Sequence, residues 1–299
     1  MNLLRADIIT AFAPRDGAHD SHKDRSIGAI LIDAGKLAPD GAERILRLQK
    51  EEGIRFGEAA VKLGLASEAD IQQALSRQFD YPYLTAGEGA VSEEIVAAYK
   101  PFTPQVEALR ALRSQLMLRW FGTEPERKAL AVVSPARGEG RSFLAANLAV
   151  VFSQLGEHTL LIDADMRHPR QHALFGLENR SGLSAILSGR GEVDAIERIP
   201  SLLDLSVLPA GAVPPNPQEL ISRPLFSRLM EEMGREFDVI IIDTPAGAGC
   251  ADAQTLATRA GAALLVAHKN NSRLRAARRL ADELTHASAL VVGTVLNEF

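Results

Sequence analysis

Three acidic residues and one glycine-rich turn carry the chemistry that can be read directly from this chain. Asp163 and Asp165 stand two apart in HTLLIDADMRHPR (158–170), and Asp243 closes the apolar run of REFDVIIIDTPAG (235–247). A turn, SPARGEGRS (134–142), joins a short apolar strand (129–133) to an apolar-periodic helical segment (143–155). Such a turn aims backbone N–H groups at an anion on a helix N-terminus, where dipole and unpaired donors both favour negative charge. Gly138 and Gly140 permit close approach, Arg141 adds a cation, and Ser142 offers a hydroxyl. Alternation along an extended chain puts Asp163 and Asp165 on one side, which suits two oxygen ligands around Mg²⁺. Two such carboxylates repel unless a cation, or Arg167, lies between them. Asp165 as a helix cap is the plainer alternative. A G-x-G turn also opens dinucleotide-binding folds, with Asp163 placed as the ribose-binding acid, but Phe143 stands at their third small position.

Positioning these groups takes a layered framework. Downstream come a helix with SGLSAIL (181–187), a strand LDLSVLPAG (203–211), and a helix opened by VPPNPQELI (213–221), with Asn216 as cap and Pro217 in its first turn. A strand GAALLVAHK (261–269), a basic helix NSRLRAARRLADELTHA (271–287) and a last strand ALVVGTVLN (289–297) follow. This alternation predicts an α/β fold built on a mostly parallel, doubly wound sheet. Its ligand belongs beyond the carboxyl ends of the strands, where the 134–142 turn and all three aspartates fall. Upstream, VEALRALRSQLMLRWF (106–121) predicts a helix with Val106, Leu109, Leu112 and Leu116 on its buried stripe and Trp120 as an anchor. Glu107, Arg110 and Arg113 lie on the adjoining side. Arg273, Arg275, Arg278 and Arg279 form a basic face, solvated or turned to acidic partners. His168, His172 and His268 lack metal-ligand spacing.

A chain of 299 residues has room for a full domain and a smaller one. A net charge of −5 gives no reason to expect nucleic acid or an anionic membrane as partner. No apolar run approaches the roughly 18 residues of a membrane helix, and the N-terminus lacks a secretory h-region, so the expectation is a soluble, cytoplasmic chain without membrane insertion. One cysteine, Cys250, excludes an internal disulfide framework and reads as a packing or loop thiol.

Residues 1–25 read as a flexible tail, 26–85 as a small helical domain, 86–100 as a linker, and 101–299 as the nucleotide domain. The helical domain contains a repeat: SIGAILIDAGKLAPDGAERILRLQ (26–49) aligns without gaps on RFGEAAVKLGLASEADIQQALSRQ (55–78), with Gly28/Gly57, Gly35/Gly64 and Gln49/Gln78 each 29 apart. Each unit reads as helix, glycine turn, helix. The repeat resembles the MshEN domain at the N-terminus of type II secretion ATPases, whose paired motifs in some members bind cyclic di-GMP. By that resemblance Arg55, Phe56, Gly57 and Gln78 in the second unit, and Ile27, Gly28 and Gln49 in the first, are candidate ligand residues. Ser26 stands where the first unit should have its arginine, which removes a bidentate phosphate partner. A structural or partner-docking module is the alternative.

In order along residues 101–299, the P-loop-like turn, DADMR, IIIDTP, the phrase LPAGAVPPNPQELI and the E-x-x-R-x-x-R helix are similar to bacterial tyrosine kinases of polysaccharide synthesis, within the MinD/ParA-like P-loop ATPases. Paired with a secretion-ATPase-like N-domain, the chain resembles kinase-like proteins encoded with exopolysaccharide and exosortase systems. The resemblance implies that Gly138, Glu139, Gly140, Arg141, Ser142 and the adjoining Phe143 hold ATP, with Ser142, Asp163, Asp165 and Asp243 handling Mg²⁺. It implies Asp163 as the residue that orients or deprotonates the nucleophile and Asn297 as an adenine contact. Glu107, Arg110 and Arg113 would mediate a homo-oligomeric ring, and a membrane chain-length determinant would hold the protein at the inner membrane. Two positions depart from the family. Arg141 replaces the P-loop lysine, keeping the charge but not the compact shape. The tyrosine cluster expected at the C-terminus is missing from the given sequence, whose tyrosines are Tyr81, Tyr83 and Tyr99. A non-catalytic scaffold and a positioning ATPase are the rival readings; Ala136 stands where positioning ATPases carry a signature lysine.

Overall fold

The computed structural model describes residues 26–298 apart from 79–82, 85, 86, 88, 192 and 249. The expected tail at 1–25, Tyr81 and Phe299 lie outside the described residues. Two compact units are present, Met1–Tyr83 and Leu84–Phe299.

Among the described residues, the first unit contains four helices: α1 (Ile27–Asp33), α2 (Pro39–Glu52), α3 (Phe56–Lys62) and α4 (Glu68–Gln78). The sequence repeat is therefore a structural one, with α1 and α3 offset by the same 29 residues as Gly28 and Gly57. Gly35 and Gly64 end the first helix of each unit with φ of +66° and +64°, a region in which side chains are strained. Gly28 lets α1 approach the Phe56 ring: a Cβ there would lie 3.1 Å from it. Ile30, Leu31, Ile45, Ala59, Ala60 and Ile71 close this unit's core.

The second unit opens with α5 (Val96–Tyr99) and α6 (Pro104–Leu116), the latter continued by a π-type turn, Met117–Phe121. Then follow β1 (Ala129–Val133), α7 (Arg141–Ser153), β2 (Thr159–Asp163), α8 (Gln171–Phe175), α9 (Leu183–Leu187), β3 (Glu197–Arg198) and β4 (Leu205–Leu208). The chain continues through α10 (Pro217–Ser222), α11 (Pro224–Glu236), β5 (Val239–Asp243), α12 (Asp252–Ala260), β6 (Ala262–His268), α13 (Leu274–His286) and β7 (Leu290–Asn297). The seven strands lie in the order β3-β4-β2-β5-β1-β6-β7, all parallel except the β3/β4 pair. Strands β1, β2 and β5 are buried along their whole length, so their apolar runs carry no alternation. The order places β1 between β5 and β6, and the chain reverses direction across the sheet beside it. The crevice at that reversal is where open α/β sheets bind ligands.

The stretch expected as a linker, 86–100, is corrected by the structure. Val91, Ile95, Ala97 and Ala98 are buried in the second unit's core, packed with α7. The reason lies in α7 itself, which has no charged residue between Ser142 and Leu155 and is buried nearly all round. A helix apolar on every side needs cover beyond the sheet. The strap at 91–99 supplies part of it and α6 the rest. Buried Asn147 of α7 fastens the strap, accepting from Ala97 N (2.9 Å) and donating to Glu94 O (3.1 Å).

Trp120 is the expected anchor: its indole N–H donates to Ala129 O at 2.9 Å, tying the end of the α6 segment to β1. Among the described residues no helix is long and apolar enough to cross a membrane.

Candidate nucleotide site

The turn between β1 and α7 is left-handed at Gly138 (φ +76°) and Gly140 (φ +86°), so the chain doubles back over the N-terminus of α7. The first-turn N–H groups of a helix have no intrahelical acceptor, and no acidic residue occupies that turn here. Ser142 and Phe143 are half-buried in it, and Arg141 is its first helical residue. The loop is braced from below. Gly247 N donates to Ser134 O (2.8 Å), Ala248 N to Pro135 O (3.0 Å), and the Thr244 hydroxyl to Val132 O (2.8 Å). Thus the D-T-P segment after β5 fixes where the turn leaves β1.

Asp163 and Asp243 end β2 and β5 on the same rung of the parallel pair, both without solvent exposure. Asp163 Oδ2 accepts from Arg170 N and Gln171 N, each at 2.9 Å, and Oδ1 accepts from Asp165 N at 3.2 Å. Burial and the neighbouring Asp243 nevertheless push the Asp163 carboxyl well above the ordinary carboxylate range, against the pull of those two N–H groups from Gln171 and Arg170. Asp165 lies beyond the end of β2, where its Oδ1 accepts from Arg167 N and His168 N (3.3 and 3.0 Å). Burial raises its pKa and Arg141 opposes the rise.

The cation that separates these acids is not Arg167. That side chain turns away to buried Asp252, with Nε 2.8 Å from Oδ2. Arg141 takes the place instead, because a helix N1 side chain can fold back under the loop that precedes it. Its Nη1 donates to Ser134 Oγ (2.8 Å) and its Nη2 to Asp165 Oδ2 (3.1 Å), while Nε lies 3.3 Å from Asp243 Oδ1. The Arg141 side chain is 8% exposed. Neither Arg141 Nε nor Asp243 Oδ1 completes a hydrogen bond among the described residues.

Two residues of the site, Gln171 and Arg137, carried no signal in the motifs. Gln171 binds both strand-end acids, donating from its amide Nε2 to Asp243 Oδ2 at 2.7 Å and from its backbone to Asp163. Arg137 in the turn and His168 after β2 lie 3.1 Å apart, Nη1 to Nε2, bridging the mouth of the crevice. Buried Glu139 accepts from Ala136 N and from the Ser272 hydroxyl, and Asn297 Nδ2 reaches Glu139 O at 3.4 Å. The phosphate-side turn is thereby joined to the loop after β6 and to the end of β7. Only pairwise reading across three loops could have found these contacts.

The E-x-x-R-x-x-R residues are partly engaged within the chain. Arg113 Nη1 donates to Val151 O near the end of α7 (2.6 Å), and Arg110 pairs with Glu107. In the first unit Ile27, Arg55, Phe56 and Gly57 line one depression together with Leu75. Gln49 lines a separate one with Leu46 and Ile54. Gly28 lies beneath the Phe56 ring and half-buried Gln78 lines neither depression.

A profile of the ParA family, described as NUBPL iron-transfer P-loop NTPase, matches residues 126–298. The chain is 39% identical over 202 residues to a putative tyrosine-protein kinase, CapB, of Staphylococcus aureus, covering 67% of this chain and 86% of that one. It is 32% identical over 207 residues to the tyrosine-protein kinase YwqD of Bacillus subtilis, covering 69% and 86%. The chain belongs to the bacterial tyrosine-protein kinases, a branch of the ParA-like P-loop NTPases. Its fold agrees: the crystal structure of the chimerical protein CapA2B2 superposes with a TM-score of 0.65 at 32% identity, covering 75% of this chain and 97% of that one. As a P-loop NTPase of this family, the kinase unit is of the kind that uses ATP with Mg²⁺.

These residues fit a nucleotide's phosphates, since the loop offers positive glycine φ values and the first turn of α7 offers N–H donors with no acidic residue beside them. For the cation, among the described residues Asp243 Oδ1 is a buried oxygen with no hydrogen-bond partner, and Asp165 Oδ2 accepts from Arg141. Both would serve as ligands with Ser142. No cluster of three or more acidic, His or Cys side chains forms an all-protein metal cage among the described residues. Mg²⁺ takes one or two carboxylates and completes its shell with phosphate and water, so the fit holds.

Proposed function

We propose that this chain is an ATP-dependent, tyrosine-kinase-like regulator of exopolysaccharide polymerisation, working on the cytosolic side of a membrane chain-length determinant. The observation that carries the reading is the meeting of Arg141, Asp165, Asp243 and Asp163 beneath one glycine turn at the reversal point of the sheet. Phosphoryl transfer asks chiefly for positioning and charge neutralisation. In this reading the turn from Gly138 to Ser142 holds the β- and γ-phosphates, and Asn297 meets the base. Asp163, with its proton affinity raised by burial and by Asp243, orients the acceptor hydroxyl and takes its proton. Ser142, Asp165 and Asp243 hold Mg²⁺, which when bound spreads the charge developing on the transferred phosphoryl group. Glu107 and Arg110 are proposed to meet a second copy of the chain. Calorimetric titration with MgATP tests the reading: saturable binding supports it, and absence of binding in the parent chain overturns it.

A second reading, a non-catalytic scaffold whose first unit senses cyclic di-GMP, is favoured by one observation. Arg141 already occupies both metal-side carboxylates. Ile27, Arg55, Phe56 and Gly57 are the residues that would face such a ligand, and titration with cyclic di-GMP against Arg55→Ala tests it. Loss of hydrolysis with retained nucleotide binding would favour this scaffold over the kinase.

A further inference from the structure

We propose that Arg141 is a tethered counter-ion for Asp165 and Asp243, so that this chain binds nucleotide with little dependence on a divalent cation. The inference rests on the nucleotide reading above and concerns what holds the acids in balance at that site.

Two carboxylates buried at the ends of neighbouring loops carry a cost that a cation must offset. In a site of this kind a divalent ion does so only when nucleotide brings it. Here one guanidinium offsets part of that cost without a metal: Nη2 is 3.1 Å from Asp165 Oδ2 and Nε is 3.3 Å from Asp243 Oδ1. The planar fork is what allows the double engagement. A lysine ammonium carries the same single charge at one compact point, without the spread of donors that lets the guanidinium face two acids at once. Ser134 Oγ takes the third contact at 2.8 Å and in turn donates to Ala136 O, so the guanidinium is also held from the floor of the turn. Gln171 fixes the far oxygen of Asp243, which keeps that carboxylate from turning away.

Two consequences follow for an incoming triphosphate. It meets two acids that already share one positive charge, so the repulsion that Mg²⁺ ordinarily relieves is reduced. A divalent ion, in contrast, has to displace an arginine that is buried, hydrogen-bonded to Ser134 and Asp165 and ion-paired with Asp243, before it reaches Asp165 Oδ2. Both effects push in one direction. They lower the gain in nucleotide affinity that the cation provides.

The experiment is calorimetric titration of the full chain with ATP, in the presence of Mg²⁺ and again in excess EDTA, for the parent and for Arg141→Lys. In the parent, EDTA should change the dissociation constant by about threefold or less; in Arg141→Lys it should weaken binding by on the order of tenfold or more. Equal and strong dependence on Mg²⁺ in both proteins overturns the counter-ion role while leaving the nucleotide reading intact. No ATP binding by the parent under either condition overturns the nucleotide reading itself. Should Arg141→Lys fail to fold, Mn²⁺ titration of the nucleotide-free parent, followed by electron spin resonance, decides the question. No saturable Mn²⁺ binding is expected, and a saturable site lost in Asp165→Asn overturns the proposal.

Discussion

Asp163 and Asp243 end neighbouring strands on one rung, and Gln171 is bonded to both, through its backbone N–H to the first and its side-chain amide to the second. Two buried acids are thus held apart from each other by a neutral donor and from solvent by the sheet. Replacing Gln171 with Leu keeps the volume but leaves Asp243 Oδ2 without its donor. A loss of about 1–3 kcal/mol of stability is expected. Urea denaturation followed by the fluorescence of Trp120, the only tryptophan, reads the loss in the unit concerned.

The raised proton affinity of Asp163 has a sign that can be measured. A carboxyl whose folded pKa lies above its unfolded value favours folding below that value and subtracts stability as pH rises through the folded pKa. Burial is the first cause of the shift and Asp243 the second. In the nucleotide-free protein, Asp163→Asn should therefore gain on the parent in Tm across the pH range above the ordinary carboxylate value of about 4. A difference in Tm that stays flat across that window would rule the shift out.

The strap at 91–99 should be part of the kinase unit's stability. Asn147→Ala removes the acceptor for Ala97 N and the donor to Glu94 O at a site with no solvent exposure. Ile95→Ala empties a fully buried position. Costs of about 1–3 and about 2–5 kcal/mol are expected, respectively. An unchanged Trp120 unfolding transition in both variants would mean that the strap is no more than a surface segment.

Arg113 and Glu107 should separate folding from assembly. Arg113→Ala deletes the donor to Val151 O at the end of α7 and should cost about 1–2 kcal/mol even in dilute protein. Glu107 is largely exposed, and Glu107→Ala should leave stability within about 0.5 kcal/mol. If Glu107 serves assembly, light scattering will register its loss while the melting temperature stays put.

Much of this protein was legible before any tertiary contact was known. The 29-residue repeat gave both halves of the first unit, because helix length and the left-handed glycine turns are local properties. The strands β1, β2 and β5 declared themselves as apolar runs too uniform for anything but a buried parallel sheet. The glycine turn and the three aspartates fell at strand ends, and the fold put them at one crevice. What sequence could not decide was which charge meets which. Arg167 is closer in sequence to Asp163 and Asp165 than Arg141 is, yet it pairs with Asp252, 85 residues away. Arg141 reaches Asp165 across 24 residues. Local periodicity fixes the direction of a backbone element, but the partner of a long side chain is set by the order of strands in the sheet and by where the loops between them return. The strap was missed for the same reason. Its need was written in α7, a helix with no polar face, but only the folded chain shows which segment covers it.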